Sequence, residues 1–146
     1  MPKLILWVVA VFFVIQLVPF RVKNHPVVSE PVWDSTRTQQ LFAVACADCH
    51  SNQTRPRWYE KIAPVGWWIA NHVDEGRAAL NVSECGKVSA REHERGDRGS
   101  RAVLRGSMPP SYYTWLGLHR DARLTATQRQ QLADGLAATA LLGCTH

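Results

Sequence analysis

Apolar and polar positions divide this 146-residue chain into a nearly uniform apolar stretch, a proline-bearing spacer and a series of amphipathic segments. From Leu4 to Phe20 only Gln16 and Pro19 interrupt the apolar run. A helix over that run, at about 1.5 Å per residue, spans roughly 25 Å, a little short of the ~30 Å hydrocarbon core of a bilayer. Lys3 and Arg21 stand where snorkelling side chains would extend it. The run therefore predicts one N-terminal transmembrane helix, with residues 1–23 as a membrane anchor. A cleaved secretory signal is the rival reading, but the run exits into Pro19-Phe20-Arg21-Val22-Lys23, without the small-residue site that cleavage needs.

Residues 24–33 carry Pro26 and Pro31 and read as an extended linker. From 34 to 146 the pattern is helical. Thr36-Arg37-Thr38-Gln39 has the form of a capping box, and Leu41, Phe42 and Ala45 follow at helical spacing. A second helix is predicted from near Pro64 to about Ala79, with Val65, Trp68, Ile69, His72 and Val73 on one face. Gly96 and Gly99 punctuate a charged stretch, leaving a short helix over Ser100 to Arg105. The last helix starts at the second capping box, Thr125-Ala126-Thr127-Gln128, repeats Leu132, Leu136 and Ala140 along one face, and has Gly143 as a terminator. With no alternating strand pattern of any length, the predicted fold class is mostly α.

A formal charge of +5 invites a search for an acidic partner, an anionic surface or nucleic acid. Much of the excess lies in Arg91, Arg95, Arg98, Arg101 and Arg105, mixed with Glu92, Glu94 and Asp97, which is the pattern of a solvated surface. Aromatic residues do not interleave with the basic ones, so nothing points to nucleic acid.

The chemistry is concentrated in Cys46-Ala47-Asp48-Cys49-His50. A Cys-x-x-Cys-His run is the signature of covalent c-type haem attachment: two thiols bond the vinyl groups of one haem, and the adjacent imidazole lies under the iron as its first axial ligand. A zinc site would call for a second closely spaced pair, whereas Cys85 and Cys144 stand far apart. A dithiol redox pair would open a helix among alternating strands, which this chain lacks. For the sixth ligand, Gly106-Ser107-Met108-Pro109-Pro110 presents the only methionine besides the initiator, held by prolines. Its thioether would favour ferrous iron and raise the potential. His72 is the alternative sixth ligand, and His119 a weaker one. Trp58, Trp67, Trp68, Tyr112, Tyr113 and Trp115 are expected to wall the cofactor in low dielectric.

Taken in order, Ile15-Gln16-Leu17-Val18-Pro19, Cys49-His50-Ser51-Asn52-Gln53-Thr54, Trp58-Tyr59, Ile62-Ala63-Pro64-Val65, His72-Val73-Asp74-Glu75-Gly76-Arg77, Leu80-Asn81-Val82-Ser83-Glu84, Gly106-Ser107-Met108-Pro109-Pro110 and Tyr113 resemble the bacterial haem-binding domain family of single-pass c-type cytochrome-like proteins. The resemblance covers nearly the whole chain. It implies a cytochrome c-like helical domain behind the membrane helix, with one covalent haem c on Cys46 and Cys49, His50 as proximal ligand and Met108 near the distal side. It also implies a periplasmic location at the bacterial inner membrane. The flanking charges do not decide this orientation, because Lys3 precedes the apolar run while Arg21 and Lys23 follow it. Cys85 stands where the family has an aromatic residue. In an oxidising compartment Cys85 and Cys144 would either pair, pinning the last helix, or remain separate thiols. The expected role is one-electron transfer to and from an unidentified redox protein. The competing role is a gas or redox sensor, or a peroxidase-like site, with an open sixth position near His72 and Arg77.

Overall fold

The computed structural model describes residues 1–18, 20–85 and 89–142, with the side chains of 89–96, 116, 117 and 140–142 outside the description. Six α-helices follow in order: α1 (Pro2–Ile15), α2 (Thr36–Ala45), α3 (Ala47–His50), α4 (Val65–Ala79), α5 (Ser89–Leu104) and α6 (Ala126–Leu142). Three 3₁₀ turns cover Trp58–Lys61, Ser111–Gly117 and Arg120–Ala122. An isolated parallel bridge joins Ser29 and Glu84. The mostly α expectation therefore holds.

Local chemistry explains the boundaries. At α2 the cap is Ser35, whose Oγ accepts from the Thr38 amide at 3.2 Å, one residue ahead of the expected box. At α6 the box closes as read: the Gln128 amide donates to Thr125 Oγ1 at 3.2 Å, and the Thr125 amide donates to Gln128 Oε1 at 2.8 Å. α5 runs far beyond the predicted Ser100 start. Its Arg- and Glu-rich first half is made of good helix formers, and a glycine inside a helix costs only about 1 kcal/mol. Gly143, expected to terminate the last helix, lies outside the described residues.

α6 packs on α5 and α2, and α3 packs on α4. Leu41, Phe42 and Ala45 of α2, Val103 of α5, and Leu132, Ala133 and Leu136 of α6 form one core with Ala122 and Leu124. Burying a leucine such as Leu132 contributes about 1.5–3 kcal/mol. Trp33 covers this core at the Phe42 ring, 5.1 Å between centroids. Cys46, Met108 and Tyr113 pack against the same core, so two segments far apart in sequence share one rigid seat.

The predicted transmembrane helix is corrected by the structure. α1 has 14 residues and stops at Ile15, giving roughly 21 Å of helix against a ~30 Å bilayer core. Among the described residues no helix is long and apolar enough to cross a membrane. The reason lies at Gln16. Its Oε1 accepts from the Ala63 amide at 2.9 Å and its Nε2 donates to the Ala63 carbonyl at 3.1 Å, so the chain turns onto the domain instead of extending the helix. Trp67 Nε1 adds a bond to the Val18 carbonyl.

Candidate functional site

The Cys-x-x-Cys-His segment does not continue α2. Cys46 leaves helical geometry (φ −131°), and the short turn α3 then carries Asp48, Cys49 and His50 against α4. Gly76 permits that approach, because a β-carbon there would stand 2.5 Å from the Cys49 carbonyl oxygen. α4 ends at Ala79, and its next residue, Leu80, presents a backbone carbonyl to His50. His50 Nδ1 lies 3.0 Å from that oxygen. A carbonyl can only accept, so Nδ1 carries the proton and Nε2 keeps its lone pair, which is the tautomer of a metal-ligating imidazole. The Val82 amide donates to the His50 carbonyl at 2.9 Å, fixing the backbone as well. Burial lowers the His50 pKa, so the ring stays neutral.

Burial pushes the Cys46 thiol up to about 12, with the neighbouring Cys49 adding to the rise. Cys49 rises to about 11 through burial and the charges of Asp48 and Glu60, opposed by Arg77. Reactive dithiol pairs need depressed thiol pKa values, so this environment runs against dithiol redox chemistry. Among the described residues no three His, Cys, Asp or Glu side chains cluster as a metal cage would require.

Beside the motif lies a cavity of about 340 Å³, within the usual ~300–1,000 Å³ of ligand pockets. Both thiols and His50 line it, and so does the whole predicted face of α4: Val65, Trp68, Ile69, His72 and Val73. Met108 lines it as well, in the segment after α5. α5 terminates in a Schellman arrangement, with the Gly106 amide bonded to the Val103 carbonyl and the Ser107 amide to the Ala102 carbonyl, each at 3.0 Å. Gly106 takes φ +74°, a left-handed conformation open to glycine at no steric cost, and so reverses the chain. Half-buried Met108 is thereby carried back onto the core and into the cavity wall.

Residues 10–138 match the model of the haem-binding domain family. The chain belongs to that family. No curated protein and no solved structure matches it. The cavity fits the family's cofactor on its own chemistry: a largely apolar wall, one neutral imidazole with its outer nitrogen satisfied, a soft thioether and two thiols.

The other residues picked from sequence divide. In this haem-binding domain Trp68, Tyr112 and Tyr113 line the cavity, joined by Tyr59, which the aromatic list had missed. Trp58 and Trp115 are mainly exposed, and Trp67 serves the Val18 carbonyl. His72 lines the wall, with Nδ1 2.8 Å from the Trp68 carbonyl. His119 lines it too, stacked on Tyr113 at 3.8 Å and 2.9 Å from the Tyr59 hydroxyl. Arg77 is not part of the wall. Its guanidinium donates to the Ser51 carbonyl at 2.9 Å, the Lys23 carbonyl at 2.7 Å, Asn24 Oδ1 at 2.9 Å and Thr54 Oγ1 at 3.0 Å. It therefore clamps the loop after the haem motif to the incoming chain.

Sequence reasoning also missed the polar support beneath the motif. Ser51, Asn52, Thr54 and Ser83 are buried, and each is hydrogen-bonded. Ser83 Oγ accepts from the Asn52 amide at 2.9 Å, Asn81 Nδ2 donates to Asn52 Oδ1 at 2.9 Å, and Thr54 Oγ1 donates to the Asp48 carbonyl at 2.7 Å. The dense Ser/Asn/Thr run directly after His50 was the available signal. Buried polar groups persist only when bonded. Cys85 is engaged in a disulfide, and Cys144, its expected partner, lies outside the described residues.

Proposed function

We propose that this haem-binding domain is a monohaem c-type cytochrome that carries single electrons between redox partners. Cys46 and Cys49 would attach the haem, and His50 and Met108 would hold its iron. The observation that carries the reading is the His50–Leu80 contact, which presents Nε2 of a neutral imidazole beside two thiols on the wall of the cavity that Met108 also lines. Haem supplies the one-electron chemistry, and a thioether on the sixth position favours the ferrous state. The residues of the largely apolar wall would hold the ring in place. Covalent attachment of this kind would be in keeping with a place on the outer side of the bacterial cytoplasmic membrane, the periplasm. The disulfide at Cys85 supports an oxidising compartment.

A second reading makes His72 the sixth ligand, favoured by its place on the cavity wall with Nδ1 occupied and Nε2 free. The deciding experiment is the optical spectrum of the purified holoprotein and its Met108→Ala and His72→Ala variants, reduced and oxidised, with and without carbon monoxide. A covalent c-type spectrum insensitive to the gas, opened by Met108→Ala alone, supports the electron carrier. A gas-sensitive wild type points to a sensor or peroxidase-like protein, and opening by His72→Ala alone reassigns the ligand.

A further inference from the structure

We infer that Tyr113 is a positioning residue that holds the Met108 segment at a set span from the haem-attachment motif. The inference rests on the assignment of Met108 as distal ligand. Tyr113 lies five residues after Met108, in the turn Ser111–Gly117, and its hydroxyl donates to Asp48 Oδ2 at 2.9 Å. Asp48 stands between the two attachment cysteines. One hydrogen bond therefore joins the strap that presents the thioether to the segment that tethers the ring.

Both ends of that bond are immobilised. Asp48 Oδ1 accepts from the Arg55 amide at 3.2 Å, and the Asp48 backbone carbonyl accepts from Thr54 Oγ1 at 2.7 Å. The Tyr113 ring stacks on His119 at 3.8 Å with planes 19° apart, and His119 is held by the Tyr59 hydroxyl. The Tyr113 amide donates to the Pro110 carbonyl at 3.0 Å. Between Met108 and that turn stand Pro109 and Pro110, whose fixed φ angles make the connection stiff. A restraint applied at Tyr113 is thus transmitted to Met108 rather than absorbed by a loose loop. Burial and the Asp48 carboxylate raise the Tyr113 phenol far above its usual pKa, keeping it a donor. This is an outer support holding a ligand in place, as such partners do in metal sites generally.

The test uses the full-length holoprotein. Tyr113→Phe keeps the ring and its stacking and removes only the hydroxyl. Asp48→Ala removes the acceptor, and Asp48→Asn retains one. The readouts are the sulfur-to-iron charge-transfer band of the ferric protein, the pH at which it is lost, and the affinity of the ferrous protein for carbon monoxide. Tyr113→Phe and Asp48→Ala are each expected to raise gas affinity about tenfold, or about 1.4 kcal/mol, and to lower the pH at which the band disappears. The double variant should be no worse than either single one, and Asp48→Asn should remain near wild type. A Tyr113→Phe protein with wild-type band, pH profile and gas response overturns the inference, as does an equal effect from Tyr112→Phe. A Met108→Ala protein that keeps the band overturns the ligand assignment, and the positioning role with it.

Discussion

Placing a methyl group at residue 76 probes the contact on which the proximal side depends. The new β-carbon of Gly76→Ala would stand 2.5 Å from the Cys49 carbonyl oxygen and 3.2 Å from the Cys49 carbonyl carbon and β-carbon. That is about 0.9 Å inside ordinary contact, and the obstacle is backbone, which cannot rotate away. Overpacking of this kind costs about 1–3 kcal/mol, against a gain of about 0.5–1 kcal/mol from replacing glycine by alanine in a helix. A shift of that size in the last turn of α4 also takes the His50–Leu80 contact from 3.0 Å past hydrogen-bonding range, a further loss of about 0.5–1.5 kcal/mol. The net expectation is destabilisation by about 0.5–4 kcal/mol. Gly99→Ala in α5 is the internal control: its β-carbon would meet only Leu136 Cδ1, at 3.9 Å, so it should stabilise by about 0.5–1 kcal/mol. Urea unfolding of both variants beside wild type measures the difference. A Gly76→Ala protein at least as stable as wild type would refute the claim that α4 and the haem motif are in obligatory close contact.

Other consequences follow from charge and hydrogen bonding. The folded pKa of His50 lies below its ordinary 6.5, chiefly through burial, so the unfolded chain takes up the proton first. Its contribution to stability is present above about pH 6.5 and is lost as pH falls below that value. In haem-free protein, urea midpoints measured across that window should fall with acid in wild type and stay flatter in His50→Gln. Glu60 behaves in the opposite sense: burial raises its carboxyl above 4.5, and among the described residues its buried Oε2 has no hydrogen-bond partner. Glu60→Gln should therefore be more stable than wild type at pH 7 but not below pH 4.5, and an equal difference at both would dismiss the charge as its cause. Arg77→Met removes all four bonds to Lys23, Asn24, Ser51 and Thr54 and should cost about 2 kcal/mol. Proteolysis near residue 24 should accelerate in that variant, and Arg77→Lys should rescue it only in part, because a point charge cannot fork.

What the sequence determined by itself was local. The Cys46 to His50 run, the α4 face from Val65 to Val73 and the Thr125–Gln128 box are each patterns of side-chain identity over one or two helical turns; the structure closes the box and puts residues of the other two on the wall of one cavity. Met108 was legible for the same reason, through its scarcity and its flanking prolines. Tertiary structure decided the rest. The apolar run ends as helix at Ile15 because Gln16 finds the Ala63 backbone 47 positions away. His50 receives its tautomer from the Leu80 carbonyl 30 positions away, and Arg77, placed near the iron only under the competing sensor or peroxidase-like role, turns to the carbonyls of Ser51 and Lys23 and to the side chains of Asn24 and Thr54. In the first two cases the deciding partner is a backbone group, and in the third two of the four partners are. Every residue carries the same peptide donor and acceptor, so nothing in the order of side chains marks which one a fold will bring within reach.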